Sequence, residues 1–310
     1  MIELLDELMA TDTAGNPQNG KKWPRKDTRE ISEQMRRKGQ SVCPNSVAKL
    51  LKDQNYSLRL NRKTIAETTH PDRDAQFRRI ANTRKRFEDA GHPILSVDTK
   101  KKELIGNFRN GGRKWDKEDD KVLAHDFRTQ AKAIACPYGL FDTVLNDGMV
   151  VVGISSDTAE FAVDCIETWL TRVGWTAYPS MKKLLLLCDS GGSNGYKNRL
   201  WKCGLYHKIA QRYGIKVRVC HYPPGASKWN PVEHRLFSFI SLEWAGTPLR
   251  SLAIMLQCIR STTTTTGLRV DAVLNRRKYD KGVHVPAEDQ NSVQLRHYAP
   301  LPDWNYAIGD

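Results

Sequence analysis

The sequence predicts an α/β protein, a mixed sheet flanked by helices, preceded by a small basic helical domain. Three observations predict it. Residues 93–98, 148–154 and 182–189 contain short apolar runs of strand length, and two of them end directly in an aspartate. A strand–helix–strand succession over 182–222 implies a parallel crossover. Residues 21–63 carry 13 Lys/Arg against 4 Asp/Glu and hold two short amphipathic stretches.

The chain has 310 residues and 39% hydrophobic content, enough for one large domain and one or two small ones. A formal charge of +14 attracts polyanions, with nucleic acid first and an anionic membrane surface second. No run approaches the roughly 20 apolar residues of a membrane span. The acidic start, Met-Ile-Glu-Leu-Leu-Asp, lacks a signal-peptide layout. Seven scattered cysteines, none in a Cys-x-x-Cys pair, argue against structural zinc or a disulfide framework and for reduced thiols.

Taken in order, residues 1–20 read as a partial segment, a short apolar helix and a polar turn, that starts inside a longer ancestral domain. Residues 21–63 read as a helix-turn-helix, winged-helix-like domain. Thr28 can cap a helix carrying Ile31 and Met35, Gly39 ends it, and Pro44 opens a second helix with Val47, Leu50 and Leu51 on one side. Its polar face, Asn45, Ser46, Lys49 and Asp53, would meet a major groove. Residues 55–60 alternate like a strand or wing. Residues 64–91 suit a charged linker helix, with Phe77, Ile80 and Phe87 interleaved among arginines and able to touch phosphate. From residue 92 onward strands dominate, with residues 103–108 a hairpin partner for 93–98. Helices are expected at 158–172, 196–213 and 231–244. The Thr262–Thr266 run suits a loop or β segment, and Trp304 and Tyr306 read as anchors in a polar C-terminal extension.

The chemistry lies in three acids. Hard divalent cations take carboxylate oxygens. Two ions roughly 4 Å apart can activate a hydroxyl and stabilise a leaving oxygen. Asp98 and Asp189 each end an apolar run, and ligands gather at the carboxyl ends of parallel strands. Asp189 is followed by Ser-Gly-Gly-Ser-Asn, small enough to admit a phosphate backbone. Glu233, 44 residues later, opens a helix. Each has a plain alternative. Asp98 or Asp189 could open a turn, and Glu233 could complete a capping box with Asn230 as N-cap and Pro231 at N1.

Residues 96–108 (Ser-Val-Asp-Thr-Lys-Lys-Lys-Glu-Leu-Ile-Gly-Asn-Phe), 187–194 (Leu-Cys-Asp-Ser-Gly-Gly-Ser-Asn) and 221–240, which include Lys-Trp-Asn-Pro-Val-Glu-His-Arg, closely resemble the ISAzo-type insertion-sequence DDE transposases. The likeness extends through 21–62, 70–77, 110–112 and 304–306, nearly the whole chain. It implies an RNase H-like catalytic domain over 92–310, with the DDE triad on Asp98, Asp189 and Glu233. It implies Mg²⁺ or Mn²⁺, two ions per site, and double-stranded DNA partners, both terminal repeats and target. A homo-oligomer on DNA and a cytoplasmic, nucleoid-associated bacterial protein follow, with no membrane partner. The family is longer at the N-terminus, which implies a truncated copy, and Cys43 stands where a Ser-type cap is expected.

Supporting residues follow from position. Lys100, Lys101 and Lys102 follow the first acid and could hold phosphates, as could Arg235 after the third; Lys228 and Trp229 precede the third acid and could contact DNA. His125-Asp126 reads as structural. The expected reaction is in-line phosphoryl transfer. Water cuts a strand, and the exposed 3′-OH then attacks target DNA. Two alternatives are an inactive DNA-binding remnant and an RNase H-like nuclease without strand transfer.

Overall fold

The computed structural model describes residues 1–10, 13–15, 22–24, 27–54, 56, 70–226 and 229–309. The chain divides into two compact units, Met1–Ile65 and Ala66–Asp310.

The first unit contains helix α1 (Ile2–Ala10), a hairpin of β1 (Thr13–Gly15) and β2 (Lys22–Pro24), and helices α2 (Thr28–Arg37) and α3 (Pro44–Asp53). Leu5, Leu8 and Met9 of α1 share one buried core with Ile31, Met35 and Val47. Residues 1–10 therefore pack into the same core as α2 and α3. The N-cap of α2 is Asp27, not Thr28. Its carboxylate accepts from the backbone of Arg29 and Glu30, and Glu30 reciprocates. Gly39 ends the helix in a left-handed conformation, φ 84°. Cys43 stands at the N-cap of α3 and makes no side-chain cap bond, and Pro44 supplies the preset first turn. Asn45, Ser46 and Lys49 are exposed, on the side of α3 away from buried Val47. Apart from Tyr56, the wing expected over 55–60 lies outside the described residues.

The second unit opens with α4 (Arg73–Asp89). Strands β3 (Ile94–Thr99), β4 (Glu103–Ile105), β5 (Ala133–Asp142) and β6 (Asp147–Gly153) follow. Helix α5 (Ala159–Trp169) continues through a wide turn at 170–174 into α6 (Trp175–Ala177). Then come β7 (Lys183–Cys188), α7 (Arg199–Gly204) with a wide extension to Gln211, and β8 (Lys216–His221). A helical run from Glu233 passes into α8 (Ser238–Glu243), followed by α9 (Leu252–Ser261) and β9 (Arg269–Asn275). Helix α10 (Ala287–Ser292), β10 (Leu295–His297) and β11 (Asn305–Ile308) complete the unit.

Among the described residues nine strands join in one sheet, ordered β10-β11-β8-β7-β3-β5-β6-β9, with β4 on β5. Strands β3, β7 and β8 are mutually parallel, while β5 runs antiparallel between β3 and β6. This antiparallel second strand beside a parallel trio is the RNase H-like arrangement. The 103–105 strand pairs with β5, not with β3 as a hairpin.

Alternation decides what each face receives. Leu95, Val97, Leu184, Leu186, Val217 and Val219 face a large core closed by α5 and α7. On the opposite face, Ile94, Leu185, Leu187 and Cys220 receive Phe77, Ile80 and Phe87 of α4. The expected linker helix is thus a layer of this unit. Beside it Phe141, Val150 and Val152 receive Val232, Leu236 and Phe237 from the run into α8. That run comes close because Gly139 and Gly148 have no side chains. A Cβ on Gly139 would collide with Phe237 and stand 3.0 Å from Val232, and one on Gly148 would stand 2.5 Å from Leu236.

Candidate active site

The register places Val97 beside Cys188, so Asp98 and Asp189 leave adjacent parallel strands side by side at their carboxyl ends. Parity adds a second constraint. Asp98 continues the face of Ile94 and Ser96, and Asp189 that of Leu185 and Leu187. That face carries the helical run that begins at Glu233.

The three carboxyls feel one another. The Glu233 carboxyl is within hydrogen-bonding reach of Asp98. Burial, with repulsion from Asp189 and Glu233, pushes the Asp98 carboxyl up to about 8. Burial and Glu233 also raise Asp189, against the lowering effect of its hydrogen bond from Asn230. Asp98 and Asp189 border a cavity of about 330 Å³ with Ser190, Gly191, Gly192, Pro223, Gly225 and Ala226. Such crowding is costly for bare carboxylates and suits a hard cation held by oxygen donors. Among the described residues no ready-made coordinating group of three His, Cys, Asp or Glu stands in place. The Asp98–Glu233 contact is a proton-sharing pair, which a cation could replace. The donor set fits a divalent cation in kind, with Asp98, Asp189 and Glu233 as the holders.

A buried polar network fixes Asp189. Asn230 Nδ2 donates to Asp189 Oδ1 at 3.0 Å, Ser96 Oγ donates a short bond to Asn230 Oδ1, and the Val232 N–H donates to Ser96 Oγ at 3.0 Å. Ser96 and Asn230 are fully buried. The Asn230 side chain therefore joins two strand ends to the helix carrying Glu233. It does not cap that helix as expected.

Behind Asp189 stands His221, buried and with its pKa lowered by burial to about 4, hence neutral. Its Nδ1 meets the Asp189 carbonyl at 2.9 Å, so Nδ1 carries the proton. Nε2 then accepts from the Tyr306 hydroxyl at 3.0 Å, which in turn accepts from Trp201 Nε1 at 3.1 Å. Gln76 Nε2 donates to the His221 carbonyl at 2.8 Å and exchanges amide hydrogen bonds with Asn305. Motif residues far apart in sequence thus meet around one strand end. Asn110 likewise donates to the carbonyls of Trp244 and Thr247. Gly112, at φ 97°, lies so close to α8's end that a Cβ would stand 2.6 Å from that of Ala245.

The supporting cations divide. Lys101 and Lys102 are exposed beside the site. Lys100 is engaged instead. Its Nζ pairs with Glu103 at 3.0 Å and lies 4.9 Å from the Trp244 ring centroid. Arg235 turns away from the acids, donating to Asn146 at 2.9 Å and lying over Phe141. Phe141 pairs with Ser96 and Asn146 lies in the turn beyond, towards the sheet's opposite edge. Trp229 is half-exposed under Arg73, whose guanidinium sits 4.4 Å from its ring. Lys228 lies outside the described residues. Sequence reasoning missed Ser96, His221 and Gln76. The available signal was polar residues at core-facing strand and helix positions.

Residues 4–309 match the family described as the Rhodopirellula transposase DDE domain. The chain belongs to this DDE transposase family. No curated protein matches this transposase. Among solved structures it is similar to the Mos1 transposase paired-end complex with left transposon end, at 14% identity and TM-score 0.45, covering 83% of this chain and 69% of that one. A Mos1 mariner paired-end complex with Mn gives 14% identity and TM-score 0.46, covering 75% and 65%. A Mos1 strand transfer complex gives 13% and 0.44, covering 82% and 67%.

Proposed function

We propose that this transposase cleaves and joins DNA strands with Asp98, Asp189 and Glu233 as its DDE triad. The observation that supports it most is the convergence of these acids, two on adjacent parallel strand ends and the third reaching Asp98 from the facing helix. A bound Mg²⁺ or Mn²⁺, one or two per site, would supply the charge that activates the attacking hydroxyl and stabilises the leaving oxygen. The chain's own work is positioning. Asn230 and Ser96 hold the Asp189 carboxylate in one orientation. His221 fixes the Asp189 backbone. Gly191 and Gly192 leave room for a phosphodiester to approach the acids. Lys101 and Lys102 lie exposed where they could meet a strand leaving the site.

The first unit would read the element's ends. The exposed Asn45, Ser46 and Lys49 face of α3 suits a major groove, as the recognition helix of a helix-turn-helix. Joining two ends calls for more than one copy on the DNA.

The test is cleavage of labelled DNA carrying the element's ends by the full chain, with Mg²⁺ or Mn²⁺. Product is expected from the wild type, and none from Asp98→Asn or Glu233→Gln. Undiminished product from either variant would remove that residue from the triad. A pre-cut end offered with target DNA then separates strand transfer from simple hydrolysis.

A further inference from the structure

The arginines of α4 and the far edge of the sheet are not used by the acid site. On β8, Lys216, Arg218 and Cys220 face α4, and Arg218 pairs in register with Leu185 and Ala307. A cation therefore occupies a core position between apolar neighbours. Arg218 is 7% exposed, and both its terminal nitrogens have no hydrogen-bond partner. Its guanidinium lies 3.5 Å from the Tyr298 ring centroid. Arg79 of α4 reaches the same ring at 5.5 Å, and its buried Nε is also without a partner. These residues line a cavity of about 250 Å³ together with Arg86, Lys183 and Lys216. Among the described residues lining it there is no Asp or Glu.

Buried polar groups are satisfied in nearly all native structures, so two orphaned guanidinium nitrogens need an explanation. Stacking on Tyr298 covers the face of the guanidinium and leaves its in-plane donors unused. Those donors form a fork that matches phosphate oxygens. The flanking cations would add attraction without competing acceptors. The site is distinct from the acids. Lys183 and Lys216 are the first residues of β7 and β8, whereas Asp189 follows the last residue of β7. Strand rise puts about 20 Å between these ends.

We propose that this cavity binds a phosphate group, with Arg218 and Arg79 as its principal donors and Tyr298 as the platform beneath Arg218. The phosphate can come from the backbone of a DNA strand passing that edge or from a free phosphate ion. In either case it is not the scissile one. The proposal does not depend on the assignment of the acids.

The experiment uses the full chain without divalent metal. Inorganic phosphate is titrated against chloride at equal ionic strength, read by thermal melting and calorimetry. The wild type should be stabilised by phosphate beyond the chloride control. In Arg218→Met the apparent phosphate affinity should fall at least about tenfold, as expected for lost charge-assisted bonds. Arg218→Met should also match or exceed the wild-type melting temperature in chloride, because it removes an unpartnered buried charge. A lost response then cannot be misfolding, and Arg79→Gln provides a second, less buried variant. A short DNA duplex identifies the source. Weaker duplex binding by Arg218→Met, with a salt dependence reduced by about one unit, assigns a backbone phosphate. Unchanged duplex binding with a lost phosphate response assigns the free ion. No stabilisation of the wild type beyond chloride, or an undiminished response in both variants, overturns the proposal.

Discussion

The two ends of the central sheet carry opposite charge for the same reason. At the carboxyl end Asp98 and Asp189 crowd together with Glu233, and burial and repulsion raise their carboxyl pKa values. At the amino end Lys183, Lys216, Arg218 and Arg79 crowd around a cavity without an acid among its described lining. A folded chain leaves like charges together only where something of opposite sign relieves them. The first end therefore points to a cation and the second to an anion. The ends differ in construction. The acids are braced by a satisfied network of Ser96, Asn230, His221 and Tyr306, whereas Arg218 has donors left over. A braced site suits chemistry that needs fixed geometry, and a site with spare donors suits docking.

The largest expected effect breaks the carboxyl end. Asp98→Asn and Glu233→Gln should each lower end cleavage by about a thousandfold or more, since a lost metal ligand forfeits several kcal/mol of charge stabilisation. Single-turnover rates check this. Next comes the brace. Asn230→Ala should keep the fold and lower the cleavage rate about ten- to hundredfold, the usual cost of losing a group that orients a metal ligand. An Asn230→Ala rate within threefold of wild type would mean Asp189 holds its orientation unaided.

The raised Asp98 pKa gives a prediction for metal-free protein. A carboxyl at about 8 in the fold and near 3.8 unfolded binds more protons in the native state between those values. Its contribution to stability is therefore lost as pH rises through that window. Asp98→Asn should melt several degrees above wild type at pH 8 in EDTA, with a much smaller gap at pH 5. Equal gaps at both pH values would contradict the crowding. The smallest effect sharpens the comparison from outside. Arg235→Ala should change cleavage less than about threefold, because its guanidinium is spent on an exposed bond to Asn146 away from the acids.

Much of this site was legible in the sequence. Apolar runs ending in Asp98 and Asp189 fixed the strands, and period-two alternation put both acids on one face. What was not legible is instructive. Strand β5 escaped notice because Pro137 and Gly139 read as breakers, yet Pro137 offers its carbonyl to the Lys100 N–H and Gly139 admits Phe237. Asn230 before Pro231 has the signature of a helix cap, and only the tertiary contact with Asp189 shows its other use. Lys100 looked free to hold phosphate until Glu103 and Trp244 proved to hold it. The α4 helix looked like a linker because its charges hide how completely Gln76 and Ile80 are buried.

Titration of Mn²⁺ into the full chain, followed by calorimetry or by the loss of the free-ion paramagnetic signal, tests the central claim most directly. Binding to the wild type that releases protons near pH 7, and weakens at least about tenfold in Asp98→Asn and in Glu233→Gln, is the predicted result. Equal Mn²⁺ affinity in the wild type and both variants would contradict a cation site built from these acids.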